Sequence, residues 1–185
     1  PDWSQLISLL LAATLIRCAA WVYNDWMEAR LLPEAPESWL KQGEIRLREQ
    51  QYLLAALFGA ALLLLLLLPA KPFLYALPVP LLLGAYPFIK TRTLMTQPYL
   101  GLCFAWLVPM AYASQGALPG KAAWLLFTAA LLWSTAFTTL HALPRRSLEQ
   151  QLGIRSLAQL FNDNSWGFIM AMQLGAIFTL WLISG

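Results

Sequence analysis

A polytopic bundle of membrane-spanning helices is the fold class this sequence predicts. Three observations predict it: six strongly apolar stretches within 185 residues, a composition 59% hydrophobic and 11% charged, and loops whose basic residues alternate between dense and sparse. So few charges cannot cover a soluble protein of this size. A 13% aromatic content with nine Trp suits the two membrane interfaces as well as packing.

Taken in order, the first stretch runs roughly from residue 4 to 23 and approaches the ~20 apolar residues that cross a bilayer. It follows Pro1 directly, with no basic leader, and from this we expect a further helix to precede it in the intact protein. Pro33 and Pro36 then break the chain, and Ser38–Gly43 leads into the mixed-charge run Glu44–Tyr52. That run has helical spacing and extends the second stretch, 52 to 68, beyond the membrane. Leu62 to Leu68 is an unbroken leucine run, so this helix has no polar side for water. The third stretch covers 73 to 88, the fourth 98 to 113 and the fifth 121 to 140. The sixth covers 165 to 183, with Asn164 or Ser165 as its N-cap. All six belong to a single integral membrane domain over residues 1–185, with the short stretches less tilted or in thinner bilayer.

Charge sets an orientation. The loops after the first, third and fifth stretches lie on one side and carry Arg30, Lys41, Arg46, Arg48, Lys90, Arg92, Arg145, Arg146 and Arg155. The other side has only Lys71 and Lys121. Nine against two places loops 24–51, 89–97 and 141–164 in the cytoplasm, as in a bacterial inner membrane. The sequence pI near 9.1 therefore reflects topology, not nucleic-acid binding.

Arg17, Asn24 and Glu28 recur at spacings of seven and four, on one helical face beside Asp25. An arginine so deep in an apolar segment is costly in lipid, so it is expected to face the bundle interior and find a partner. Cys18 and Cys103 form no motif and read as small buried hydrophobes. His141, without a second His or a positioned carboxylate, makes neither a metal site nor a catalytic pair. It is expected to bond a nearby hydroxyl or carbonyl. Gly59, Gly84, Gly101 and Gly167 lack phosphate-loop spacing and suit close helix contact or flexibility.

Four segments carry a resemblance. Arg17-Cys-Ala-Ala-Trp-Val-Tyr-Asn24-Asp25-Trp-Met-Glu28 resembles the first motif region of the UbiA-type membrane prenyltransferases, typified by 4-hydroxybenzoate polyprenyltransferase. Tyr86-Pro-Phe-Ile-Lys90 resembles that family's Y-P-F-x-K run, and Leu102–Ala113 its next helix. Gly153-Ile-Arg-Ser156-Leu-Ala158 resembles its G-I-K-S-T-A run. The four keep their order from Trp3 to Gly185, equivalent to helices 2–7 of a nine-helix fold. The resemblance implies transfer of a prenyl group from a diphosphate to an aromatic acceptor. It also implies two Asp-rich motifs holding magnesium and an apolar groove for the prenyl tail. Hard cations on carboxylates fit that chemistry because they neutralise the charge that develops on a leaving diphosphate.

The Asp-rich motifs are degenerate. In the first, Asn24 and Asp25 match, Glu28 replaces Asp, and Leu32 takes the last Asp position. In the second, Thr138 replaces the early Asp, His141 a Tyr, and Arg145 and Glu149 the two closing Asp. Arg145 puts a positive charge where a dication should sit. These departures predict lost catalysis, with no catalytic residue, metal or cofactor assigned. The expected role is binding a membrane lipid, an isoprenoid or a quinone, or serving as a structural subunit beside other membrane proteins. Arg17, Lys90, Arg92, Arg145 and Arg146 are the candidate anion or diphosphate ligands. Glu34, Glu37 and Glu44 could close the mouth by pairing with the arginines of loop 141–164. The alternative is a divergent transferase in which magnesium is held by Asn24, Asp25, Glu28 and Glu149.

Overall fold

The computed structural model describes residues 3–31 and 46–184, and every regular element among them is helical. In chain order these are α1 (Trp3–Leu31), α2 (Leu47–Leu66), α3 (Ala70–Ala76), α4 (Pro78–Arg92), α5 (Thr96–Ala105) and α6 (Leu107–Ser114). There follow α7 (Lys121–Ala142), α8 (Arg146–Gln151), α9 (Leu157–Phe161), a 3₁₀ turn (Asn162–Asn164) and α10 (Ser165–Ser184). The expected loop features Pro33, Pro36, Ser38–Gly43 and Glu44, together with Leu32, Glu34 and Glu37, lie outside the described residues.

Five of the six apolar stretches form helical segments long and apolar enough to cross a bilayer: Trp3–Leu31, Leu47–Leu66, Ala70–Arg92, Lys121–Ala142 and Leu157–Ser184. The fourth stretch differs, because it breaks at Trp106 into α5 and α6. Pro109 accounts for the break: it has no N–H for Ala105, four residues back, and its ring crowds that carbonyl. Pro78 and Pro80 divide α3 from α4 at Leu77 in the same way. The chain is an integral membrane protein.

The described residues cluster into two compact units, one within Pro1–Pro87 and Ala113–Ala117, the other within Phe88–Tyr112 and Leu118–Gly185. In the first, α1 packs on α2. Leu9, Ala12, Ile16, Ala19 and Val22 form its buried stripe, at the three- and four-residue spacing of one helical face. From α2, Gln50, Ala61 and Leu65 are buried. Within the leucine run, Leu65 and Leu68 are buried while Leu63, Leu66 and Leu67 point outward, as a helix with lipid on one side requires. Arg46 N–H donates to the Glu49 carboxylate at 3.1 Å and so settles one open donor at the start of α2.

In the second unit α7 is the central rod, with α5 and α10 packed on it. Gly101 permits the α5 contact: a Cβ there would lie 2.6 Å from Thr135 Oγ1 and 2.9 Å from Leu131 O. Gly59, Gly84 and Gly167 have nothing within 4 Å of such a Cβ, so close contact explains only Gly101 among the four. α8 ends in a Schellman turn, with Gly153 at φ +75°. Ile154 N–H donates to Glu149 O at 2.9 Å and Gly153 N–H to Gln150 O at 3.2 Å. Ser165 opens α10, but its hydroxyl donates back to Asn162 O at 2.6 Å, so it is not the expected N-cap.

Candidate functional site

In the first unit the motif residues lie on the last two turns of α1. Asn24 gives its amide N–H to the Glu28 carboxylate one turn on, while Asn24 Oδ1 is buried without a partner among the described residues. Asp25 is held from α2: Gln50 Nε2 donates to Asp25 Oδ2 at 2.7 Å and to Val22 O at 3.3 Å. Glu28 and Asp25 also make other contacts. Trp26 supports this end of the helix, edge-on to Tyr23 at 6.2 Å and with Arg30 stacked 4.6 Å above its ring.

Arg17 corrects an expectation. It is exposed, not turned inward. The buried stripe passes through Ile16 and Ala19, and the next residue along a helix is rotated about 100° from its neighbour. Arg17 therefore falls off the packed face. Cys18 is exposed for the same reason, against the expectation of burial, and Cys103 is half-buried.

Beside these α1 residues lies an apolar cavity of about 560 Å³ lined by Ile16, Ala19, Ala20, Tyr23, Gln51, Leu54, Phe58, Pro80, Leu81 and Gly84, among others. A second, of about 400 Å³, shares Ile16, Phe58, Pro80 and Leu81 with it and extends to Leu65, Phe73 and Ala76. The two form one groove between α1, α2 and the α3–α4 segment.

In the second unit Lys90, Arg145 and Glu149 come together. Lys90 is only 6% exposed. Burial pushes the Glu149 carboxyl above its ordinary range, and the Ser156 hydroxyl and the Lys90 and Arg145 charges pull it back. Neither Glu149 Oε2 nor the buried Ser156 Oγ has a hydrogen bond of ordinary geometry among the described residues. The remaining candidate bases do not join this group. Arg92 is exposed, its guanidinium 5.8 Å from the Phe88 ring, and Arg146 donates to Asn162 Oδ1. His141 behaves as expected, bonded through Nδ1 to Phe137 O at 3.0 Å, with its ring against Phe137.

Sequence reasoning missed three buried polar residues. Gln50 reads as part of a polar, solvated helix extension, yet is only 3% exposed. Thr96 and Gln97 fall at the start of an apolar stretch, yet they tie down the backbone around Ser156. Thr96 Oγ1 donates to Arg155 O at 2.7 Å, and Leu157 N–H donates to Gln97 Oε1 at 2.8 Å. A polar residue flanking an apolar run was their only signal, and it is shared by many exposed residues.

The oxygens at Asn24, Asp25, Glu28 and Glu149 are hard donors, and two of them (Asn24 Oδ1 and Glu149 Oε2) are buried without a hydrogen bond of ordinary geometry among the described residues. That chemistry suits a hard cation or a hydrogen-bond donor. Among the described residues, no three His, Cys, Asp or Glu side chains gather at one point.

Comparison with known proteins agrees with the motifs. The description "UbiA prenyltransferase family" matches residues 1–185. The 4-hydroxybenzoate octaprenyltransferase of Acinetobacter baylyi is 31% identical over 180 residues, covering 96% of this chain and 62% of that protein. Those of Pseudomonas fluorescens and Photobacterium profundum are each 33% identical, covering 94% and 99% of this chain and 60% and 65% of theirs. The chain thus spans a little over 60% of the length of the curated relatives it matches. The apo structure of a UbiA homologue from Aeropyrum pernix K1 shares the fold, with a TM-score of 0.82 over 97% of this chain and 70% of that one, at 21% identity. With four motifs in order, a family match along its whole length and the same helical fold, this chain belongs to the UbiA prenyltransferase family.

Proposed function

We propose that the protein is a divergent, magnesium-dependent membrane prenyltransferase that joins a polyprenyl diphosphate to an aromatic acceptor of the 4-hydroxybenzoate kind. The observation that carries this reading is that Asn24 Oδ1 and Glu149 Oε2, at positions of the two metal motifs, are buried with no hydrogen bond of ordinary geometry among the described residues. A site released from cation binding has no reason to keep such atoms, because an unsatisfied buried oxygen costs ~1–3 kcal/mol. Identity of 31–33% to 4-hydroxybenzoate octaprenyltransferases over nearly the whole chain supports the same reading.

Asn24, Asp25 and Glu28 in the first unit and, separately, Glu149 in the second are the residues that would hold magnesium, which when bound neutralises the charge of the departing diphosphate. Lys90 and Arg145 add fixed positive charge for phosphate oxygens. This compensates in part for the carboxylates that Leu32, Thr138 and Arg145 have displaced. The apolar groove along Ile16, Phe58 and Leu81 seats an isoprenoid chain and excludes water from it.

Arg145 favours a second reading. A guanidinium at a closing Asp position repels a dication, and a protein that binds isoprenoid or lipid without transferring it would tolerate the change. Purified full-length protein given labelled polyprenyl diphosphate and 4-hydroxybenzoate separates the two. Prenylated product in magnesium and none in EDTA supports the transferase. Absence of product, with thermal stabilisation by the diphosphate persisting in EDTA, supports an arginine-based binding protein.

A further inference from the structure

Gln50 belongs to no motif of the resemblance, yet it contacts one. It sits in the first turn of α2 with 3% of its surface exposed. Both of its amide hydrogens are committed to α1, one to Val22 O at 3.3 Å and one to Asp25 Oδ2 at 2.7 Å. The amide can point only this way, since a flip would set Gln50 Oε1 against a carbonyl and a carboxylate oxygen. In the observed orientation Gln50 Oε1 is buried with no hydrogen bond among the described residues, as is Asn24 Oδ1, carried by the residue next to Asp25. A lone structural cross-link would not need two orphaned amide oxygens beside a pair of carboxylates. A cation bound by those oxygens would need them.

We propose that Gln50 is a positioning residue for Asp25, holding its carboxylate from the facing helix so that the oxygens of Asn24, Asp25 and Glu28 present a preformed cation site at the end of α1. The inference rests on the transferase reading above. Groups that orient a metal's ligands typically change its affinity about ten- to a hundredfold when removed. Without the Gln50 amide, Asp25 would gain freedom that the cation must then remove.

The test is a magnesium titration of thermal stability on the full-length protein, starting from EDTA. Gln50→Leu should raise the magnesium midpoint about ten- to a hundredfold. A purely structural tie would lower the melting temperature in EDTA and leave the midpoint unchanged, and that result would overturn the proposal. If Gln50→Leu fails to fold, Gln50→Asn serves instead: one methylene shorter, it withdraws the amide from Asp25 and should shift the midpoint in the same direction. Coupling supplies a second check. Gln50→Leu should change the midpoint little in an Asp25→Asn background, whereas full additivity would sink the idea. A magnesium response in the unmutated protein that Gln50 variants share overturns this inference alone. No response in the unmutated protein removes the transferase reading and this one together.

Discussion

Glu149 shows how one substituted residue acquires new behaviour from its surroundings. Its carboxyl is raised above its ordinary value of 4.5, chiefly by burial, while Lys90 and Arg145 limit the rise. A carboxyl whose folded pKa lies above its unfolded value binds its proton more tightly when folded. Its stabilising contribution is therefore complete below the unfolded pKa and lost as pH climbs through the folded one. In EDTA, stability should accordingly fall as pH rises above about 4.5 toward neutrality, and Glu149→Gln should flatten that portion of the curve. Equal slopes for the two proteins in a pH series of thermal melts would exclude the assignment. The sequence names Glu149 as a surviving oxygen, and the structure adds its raised pKa, because desolvation depends on what covers the side chain. Arg17 makes the complementary point. Spacing groups it with Asn24 and Glu28, but only the packing of Ile16 and Ala19 decides that Arg17 itself is exposed.

Elements are held here by proline breaks and by a few long-range polar ties. The clearest set joins the end of α4 and the start of α5 to the segment before α9. Arg155 N–H donates to Lys90 O at 2.8 Å and its guanidinium to Arg92 O at 3.0 Å, while Thr96 and Gln97 grip Arg155 O and Leu157 N–H. The carbonyls at the end of α4 have no helical partners, so a guanidinium is well placed there. Each such bond contributes about 1 kcal/mol net, and two together should suppress local opening more than tenfold. A Thr96→Ala, Gln97→Leu protein should therefore be cut by trypsin after Arg155 at least about tenfold faster, relative to cutting after Arg145 and Arg146. An unchanged ratio would mean that the clasp contributes no local stability. The run Gly153–Ala158 was legible as a motif, and its glycine follows from the Schellman turn at φ +75°. Its partners were not legible, since Thr96 and Gln97 lie some sixty residues away in sequence.

For the whole molecule, the distribution of basic residues still makes its own claim. Loops bearing Lys90, Arg92, Arg145, Arg146 and Arg155 should face the cytoplasm, and the turn between α6 and α7 the opposite side. In a background of Cys18→Ser and Cys103→Ala, a Ser147→Cys protein should react with a membrane-impermeant maleimide only in inside-out vesicles. Ala117→Cys should react only in right-side-out ones, and the reverse pattern would overturn the orientation. By itself the sequence determined the all-helical membrane class, the position of five crossing segments and the family, because these depend on hydropathy, charge and local motif, which are properties of neighbouring residues. Only the tertiary structure decided that Arg17 faces outward and that Gln50, Thr96 and Gln97 are interior. Burial and hydrogen bonding arise when segments far apart in the chain meet, and no local pattern records which face of a helix its neighbour will cover.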